Sequence, residues 1–160
     1  MDLGDEDPLL PVEPGYTNVL RVRTAIFGAM LVLAGLILDR SVLEQIGFGW
    51  FLPLALLGVA IAAVIVRPRR IYRRLRYRLS GRILQVLRGW LFHTDTVVPL
   101  VRVQHLDVVR GPLDKMFGTA TLVVHTAGTH NSIVTVPGLA PERAAEMRDI
   151  IRDQVRTDFE

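Results

Sequence analysis

Residues 46–66 form a run of 21 residues without a charge, and the run leads directly into Arg67, Pro68, Arg69, Arg70, Arg73, Arg74, Arg76 and Arg78. A helix of that length, rising about 1.5 Å per residue, covers the roughly 30 Å hydrocarbon core of a bilayer. The run therefore reads as a membrane span. Lys and Arg beside a span are retained on the cytoplasmic side far more readily than they are translocated. The arginine cluster thus predicts that everything after Pro68 is cytoplasmic.

An earlier uncharged stretch, residues 24–38, has 15 residues and is short for a span unless the helix starts at Val19. From there it reaches about 30 Å, with Arg21 and Arg23 extending their stems toward the headgroups. A secretory signal peptide is the rival reading. The acidic leader (Asp2, Asp5, Glu6 and Asp7) and the lack of a small-residue cleavage site after Leu38 oppose it. Between the two runs, residues 39–45 hold the single base Arg40, so the hairpin is expected to be multi-pass with both termini cytoplasmic. Trp50 and Phe51 suit the interface at the start of the second span, and Pro53 predicts a kink or a late helix start. Ala25 with Ala29, and Gly58 with Ala62, have the spacing that lets helices approach closely.

With 160 residues, half of them hydrophobic, the chain has room for two spans and one small domain. It contains no cysteine, which excludes disulfides and thiolate metal sites. The net charge of +3 hides an asymmetry: nine of 19 basic residues lie within 67–88, whereas the first 13 residues carry five acids and no base.

From Ile71 the pattern turns to alternation. Leu75, Tyr77 and Leu79 share one strand face and Arg74, Arg76 and Arg78 the other. Ser80-Gly81 reads as a turn, and further strand-like runs follow at 82–87, 90–98, 101–109, 119–126 and 132–136. Five or more short strands predict a small antiparallel barrel or roll. After Pro137-Gly138, Pro141 and Glu142 suit a first helical turn, and Ala144, Met147, Ile151 and Val155 recur at helical spacing. One amphipathic helix is expected to cap the domain. The expected organisation is a leader over 1–18, a hairpin over 19–66 with spans at about 19–38 and 46–66, and a cytoplasmic α+β domain over 67–160.

Tyr77-Arg78-Leu79, Val103-Gln104-His105-Leu106-Asp107-Val108, Gly111-Pro112-Leu113-Asp114, Phe117-Gly118-Thr119-Ala120-Thr121-Leu122 and His125-Thr126-Ala127-Gly128 follow one another after the two spans. In that order they resemble the bacterial pleckstrin-homology (PH) membrane proteins of the YdbS type, over nearly the whole of residues 19–155. The resemblance implies a PH-like fold at a bacterial cell membrane and no established reaction, ligand or catalytic residue. It offers no role for the leader before Tyr16, which reads as disordered.

His93, His105, His125 and His130 lack the spacing of a helical zinc site, so no metal is expected, and the two strand histidines are expected to be hydrogen-bonded. Ser80, His105 and Asp107 do not form a nucleophile elbow. Residues 111–118 lack the Gly-rich run and Lys-Ser/Thr pair of a phosphate loop. They read as a structured connection whose Leu113, Met116 or Phe117 plugs a barrel end. The rival is a loop that presents Leu113, Lys115, Met116 and Phe117 to lipid or to a partner. Arg67, Arg69, Arg70, Arg73, Arg74 and Arg76 are the candidate membrane-surface residues, at about 1 kcal/mol each near anionic lipid. Tethering at the headgroups without interleaved aromatics argues against nucleic acid. No enzyme, cofactor or small-molecule substrate is expected. The expected function is a non-catalytic, membrane-proximal scaffold or interaction module. Its partner would be a related PH-domain membrane protein or a second copy. The alternatives are an anionic headgroup sensor and an auxiliary transporter subunit.

Overall fold

The computed structural model describes residues 8–40, 50–89, 93–127 and 133–157. The chain divides into two units, Thr17–Arg70 and a second made of Met1–Tyr16 with Ile71–Glu160.

The first unit is built from α1 (Gly15–Leu38) and α2 (Phe51–Arg74), each long and apolar enough to cross a membrane. The late start at Phe51 agrees with the position of Pro53, which is accommodated in the first turn where its missing N–H costs least. The helices run antiparallel, with Gly28 against Ala60 and Gly35 against Leu56. A Cβ on Gly28 would lie 2.9 Å from that of Ala60, so this glycine is what lets the backbones approach. The close approach differs from the one expected. Ala25, Ala29, Gly58 and Ala62 are exposed, and Gly58 meets nothing. Gly28 and Gly35 are seven residues apart and therefore share a face, which the four-residue spacing overlooks.

A second difference concerns the end of α2. The alternating pattern predicts a strand from Ile71, yet the helix continues through Pro68 to Arg74. Pro68 removes one hydrogen bond, but an established helix adds good formers such as Arg at little further cost. Leu75, whose N–H bonds to the Ile71 carbonyl at 3.0 Å, ends it.

In the second unit, β2 (Arg76–Ser80), β3 (Ile83–Gly89) and β4 (His93–Pro99) form an antiparallel sheet, joined at one edge by β1 (Leu10–Pro11). β5 (Val103–Val109), β6 (Ala120–Thr126) and β7 (Ile133–Leu139) form a second. Gly81, at φ +51°, supplies the turn after Ser80. Trp90 and Ser132, expected at strand starts, lie outside the described residues. The expected barrel does not close. Pro99 ends β4, and the chain corners through a 3₁₀ turn at Leu100–Arg102 where a strand was expected from Val101. That corner is held by Leu100 N–H to Arg82 O and Ala127 N–H to Arg102 O, both 2.8 Å.

The leader departs most from expectation. Leu10 pairs with Tyr77 and Pro11 with Arg76, and the Glu13 N–H reaches the Gly138 carbonyl of β7 at 2.7 Å. It thus stitches the edges of the two sheets. Val12 and Tyr16 are buried, so residues 10–16 gain enough apolar burial to order a segment whose composition reads as disordered. Gly138, at φ +75°, lies under the Tyr16 ring, and a Cβ there would meet Tyr16 Cγ at 2.6 Å. Arg88 adds a clasp. Its guanidinium donates to the backbone carbonyl and the hydroxyl of Thr135 on β7, the latter at 3.0 Å. Burial holds this guanidinium below the ordinary arginine value, with Tyr16 pulling the other way.

Alternation fills the core. Leu84 and Val86, Leu122 and Val124, and Val134 and Val136 are buried, with Tyr77 and Val98 beside them. α4 (Pro141–Thr157) packs on β5, β6 and the 3₁₀ turn through Ala144, Met147 and Ile151, all fully buried, while Val155 is half-buried. Burying side chains the size of Met147 and Ile151 is worth about 1.5–3 kcal/mol each.

Candidate membrane-surface and docking sites

Five of the six arginines assigned to the membrane surface, Arg67, Arg69, Arg70, Arg73 and Arg74, are exposed on the last turns of α2. At 100° per residue they fall within about half of the helix circumference, in a band about 10 Å deep. Arg76 is separate: it lies half-buried on β2, opposite Leu87. Two cations in the last turn, Arg73 and Arg74, also complement the negative end of the helix dipole. The outward face of the first sheet carries a polar relay from Arg78 through Gln85 to Asp95, at 2.7 and 2.8 Å.

The loop after β5 folds into a single helical turn, α3 (Pro112–Met116). Asp114 organises it. One carboxylate oxygen accepts the Gly111 N–H at 3.1 Å, the other accepts the Thr119 hydroxyl at 2.9 Å, and the Asp114 carbonyl accepts the Thr119 N–H at 2.8 Å. The carboxylate is 5% exposed and is stabilised as the N3 half of a capping box. This bracing presents Met116, 73% exposed, beside exposed Lys115. Leu113 and Phe117 are half-buried. Met116 therefore does not plug the interior, and the open sandwich has no barrel end to plug.

Asp107, on β5, lies in a different sheet from Ser80. The register instead brings two histidines to it. His105 pairs with His125 across β5 and β6, and their Nε2 atoms lie 3.0 and 3.4 Å from the two Asp107 oxygens. Strand alternation puts His105 and Asp107 on one face, a signal present in the sequence, but the partner on β6 requires the register. The imidazoles themselves occupy the carboxylate. Among the described residues no group is placed to hold a metal ion. His93 lies on β4, and His130 is outside the described residues.

β5 is an outer strand of its sheet, and a groove of about 450 Å³ runs beside it. Val103, Leu106 and Val155 give it apolar walls; His105, Arg148 and Arg152 give it polar ones. Arg148 and Arg152 are partly neutralised by Asp149, at 2.9 and 3.5 Å. At the far end of α4, Arg143 bonds Glu146 at 2.8 Å, and that hydrogen bond raises the Arg143 value. Sequence reasoning missed this groove, because an outer strand and a helix must be placed side by side before it exists.

Residues 27–155 match the model of the bacterial PH domain. The chain belongs to this family. It is also 31% identical, over 154 residues, to the UPF0699 transmembrane protein YdbS of Bacillus subtilis (strain 168), an alignment covering 91% of this chain and 92% of that protein. No solved structure matches significantly. The family assignment agrees with the antiparallel sheets and terminal helix, and the bacterial PH domain here is that of a membrane protein of the YdbS family.

Proposed function

We propose that this membrane protein is a non-catalytic docking module that presents its PH-like domain at the inner face of the bacterial cell membrane. The observation carrying this reading is the groove between β5 and α4. An outer strand offers unpaired main-chain groups, and an extended segment laid along it gains backbone hydrogen bonds while its alternate side chains enter the groove. A related PH-domain membrane protein, or a second copy, is the partner such a surface suits. The test is a photo-crosslinking residue at Gln104 in the full chain, in native membranes. A discrete adduct that disappears when Leu106→Asp alters the groove, while a crosslinker at Arg82 gives none, supports docking. Indiscriminate crosslinking at both positions rejects it.

The exposed arginine band favours a second reading, attraction to anionic headgroups. The two are compatible, since attraction to lipid would hold the groove at the membrane surface. They separate experimentally, because only the second depends on lipid charge and salt.

A further inference from the structure

We propose that the occupant of the groove is a second copy of this chain, whose β5 lies antiparallel to the first, centred on Leu106, and joins the two three-stranded sheets into one. The proposal rests on the docking reading above and adds to it the identity, direction and register of the partner.

Among the described residues nothing pairs with the outer edge of β5. Its regular part follows the irregularity between Val103 and His105. From there alternation sends His105, Asp107 and Val109 to the outward face, and sends Leu106 and Val108, opposite the buried Val124 and Leu122, to the inward one. Edge strands are commonly blunted against pairing by Lys, by Pro or by a bulge. From His105 to Val109 the strand has neither Lys nor Pro, and its irregularity sits at one end.

Charge then selects the register. A two-fold axis normal to the sheet keeps outward residues opposite outward ones, so it passes through a residue position. Centred on His105 it sets imidazole against imidazole, and centred on Asp107 it sets carboxylate against carboxylate, which is repulsive. Centred on Leu106 it sets each His105 against the Asp107 of the other copy, and Leu106 against itself. The side chains are accessible for this, His105 being 69% and Asp107 45% exposed. Within one copy the two Asp107 oxygens already face His105 and His125, at 3.0 and 3.4 Å. A carboxylate has about four lone-pair sites, so an imidazole N–H from the other copy can join them. On the inward face each half-buried Leu106 gains apolar cover from its counterpart. Gln104, His105 and Leu106 line the groove, so a strand laid along this edge occupies it. One strand a side is a small contact for free solution, but confinement of both copies to one bilayer raises their effective concentration.

The register is tested in the full chain in native membranes. Leu106→Cys, under mild oxidation, is expected to give a disulfide-linked dimer, because the axis brings position 106 against itself. Val109→Cys on the same strand should not, since three residues from the axis place it about 20 Å from its counterpart, beyond the reach of a disulfide. Equal crosslinking at the two positions overturns the proposal.

A second experiment leaves Leu106 intact, and so decides the matter even if Leu106→Cys perturbs the strand. Two differently tagged full-length chains are expressed singly and together, and self-association is read by copurification of one tag with the other. His105→Asp alone and Asp107→His alone should each weaken self-association about tenfold, the scale of two cross-strand pairs. Mixed, the two variants should associate again, because the acid introduced at position 105 of one faces the imidazole introduced at position 107 of the other. No recovery on mixing, or no loss in either variant alone, overturns the proposal. The adduct formed by the crosslinker at Gln104 separates this reading from the one beneath it. Twice the mass of the chain supports a second copy; an adduct with a different protein overturns the dimer and leaves groove docking standing.

Discussion

In α2, Leu54 and Val59 are 69% and 67% exposed, whereas in β6 Leu122 and Val124 are fully buried. Both pairs are ordinary aliphatic residues. A soluble domain must hide them from water, and alternation along a strand does so on one face. A helix surrounded by hydrocarbon need not, and its outward apolar residues are already in their preferred solvent. Polar groups show the reverse. The domain spends Arg88, Asp114 and Asp107 on specific partners, while the spans concentrate their charges at their ends.

The sharpest way to break this comparison is one truncation in each region. Leu122→Ala should lower the stability of the domain by about 2–5 kcal/mol, read as an earlier thermal transition of the full chain in detergent. Val123→Ala, on the half-buried face of the same strand, should cost clearly less, and Leu54→Ala should leave that transition within about 0.5 kcal/mol. A Leu54→Ala effect as large as that of Leu122→Ala would mean that the spans are packed like a water-soluble core.

Much of this contrast is legible in the sequence. Uncharged runs, alternation and the helical spacing of Ala144, Met147 and Ile151 are local patterns, and a local pattern survives into the fold. What the sequence hides is decided by partners. Two residues, Leu10 and Pro11, are too few to read as a strand, and they become one because β2 has a free edge. Closure of the sheets turns on the corner at Leu100–Arg102, which looks like continued strand until Pro99 ends the ladder. Of the candidate sites, the arginine band could be read directly. Asp114 left a trace three residues after the capping glycine, but the groove beside β5 left none.

Charge offers the next test. Changing Arg69, Arg70, Arg73 and Arg74 to Gln should remove up to about 4 kcal/mol of attraction to an anionic bilayer at low salt. Hydrogen exchange of the α2 terminal turns, in nanodiscs of anionic or zwitterionic lipid, measures it. The unsubstituted chain should exchange more slowly on anionic lipid, and salt should erase the difference. Equal exchange on both lipids at low salt would reduce the band to a determinant of orientation.

A smaller effect probes the ordered leader. Gly138→Ala places a Cβ at φ +75° against the Tyr16 ring, and should cost the domain about 2 kcal/mol. Tyr16→Ala in the same chain should relieve the steric part, so the two changes together should cost less than their sum. Simple additivity would show that the leader does not pack where β7 turns.

The smallest expected effect belongs to Met116, where the rule for buried aliphatics and the rule for lipid-facing ones give opposite answers. Its side chain stands beside Lys115 on a turn braced by Asp114, and neither a core nor a strand explains 73% exposure. Contact with lipid would withdraw this one side chain partly from water, for about 1 kcal/mol. The chain has no cysteine, so Met116→Cys carries a single spin label, and Ala127→Cys, also exposed, provides the reference. In nanodiscs, the label at 116 should collide more with oxygen and less with a water-soluble nickel chelate than the label at 127. Equal accessibility would place the α3 turn in water and remove lipid contact as the reason for the exposure of Met116.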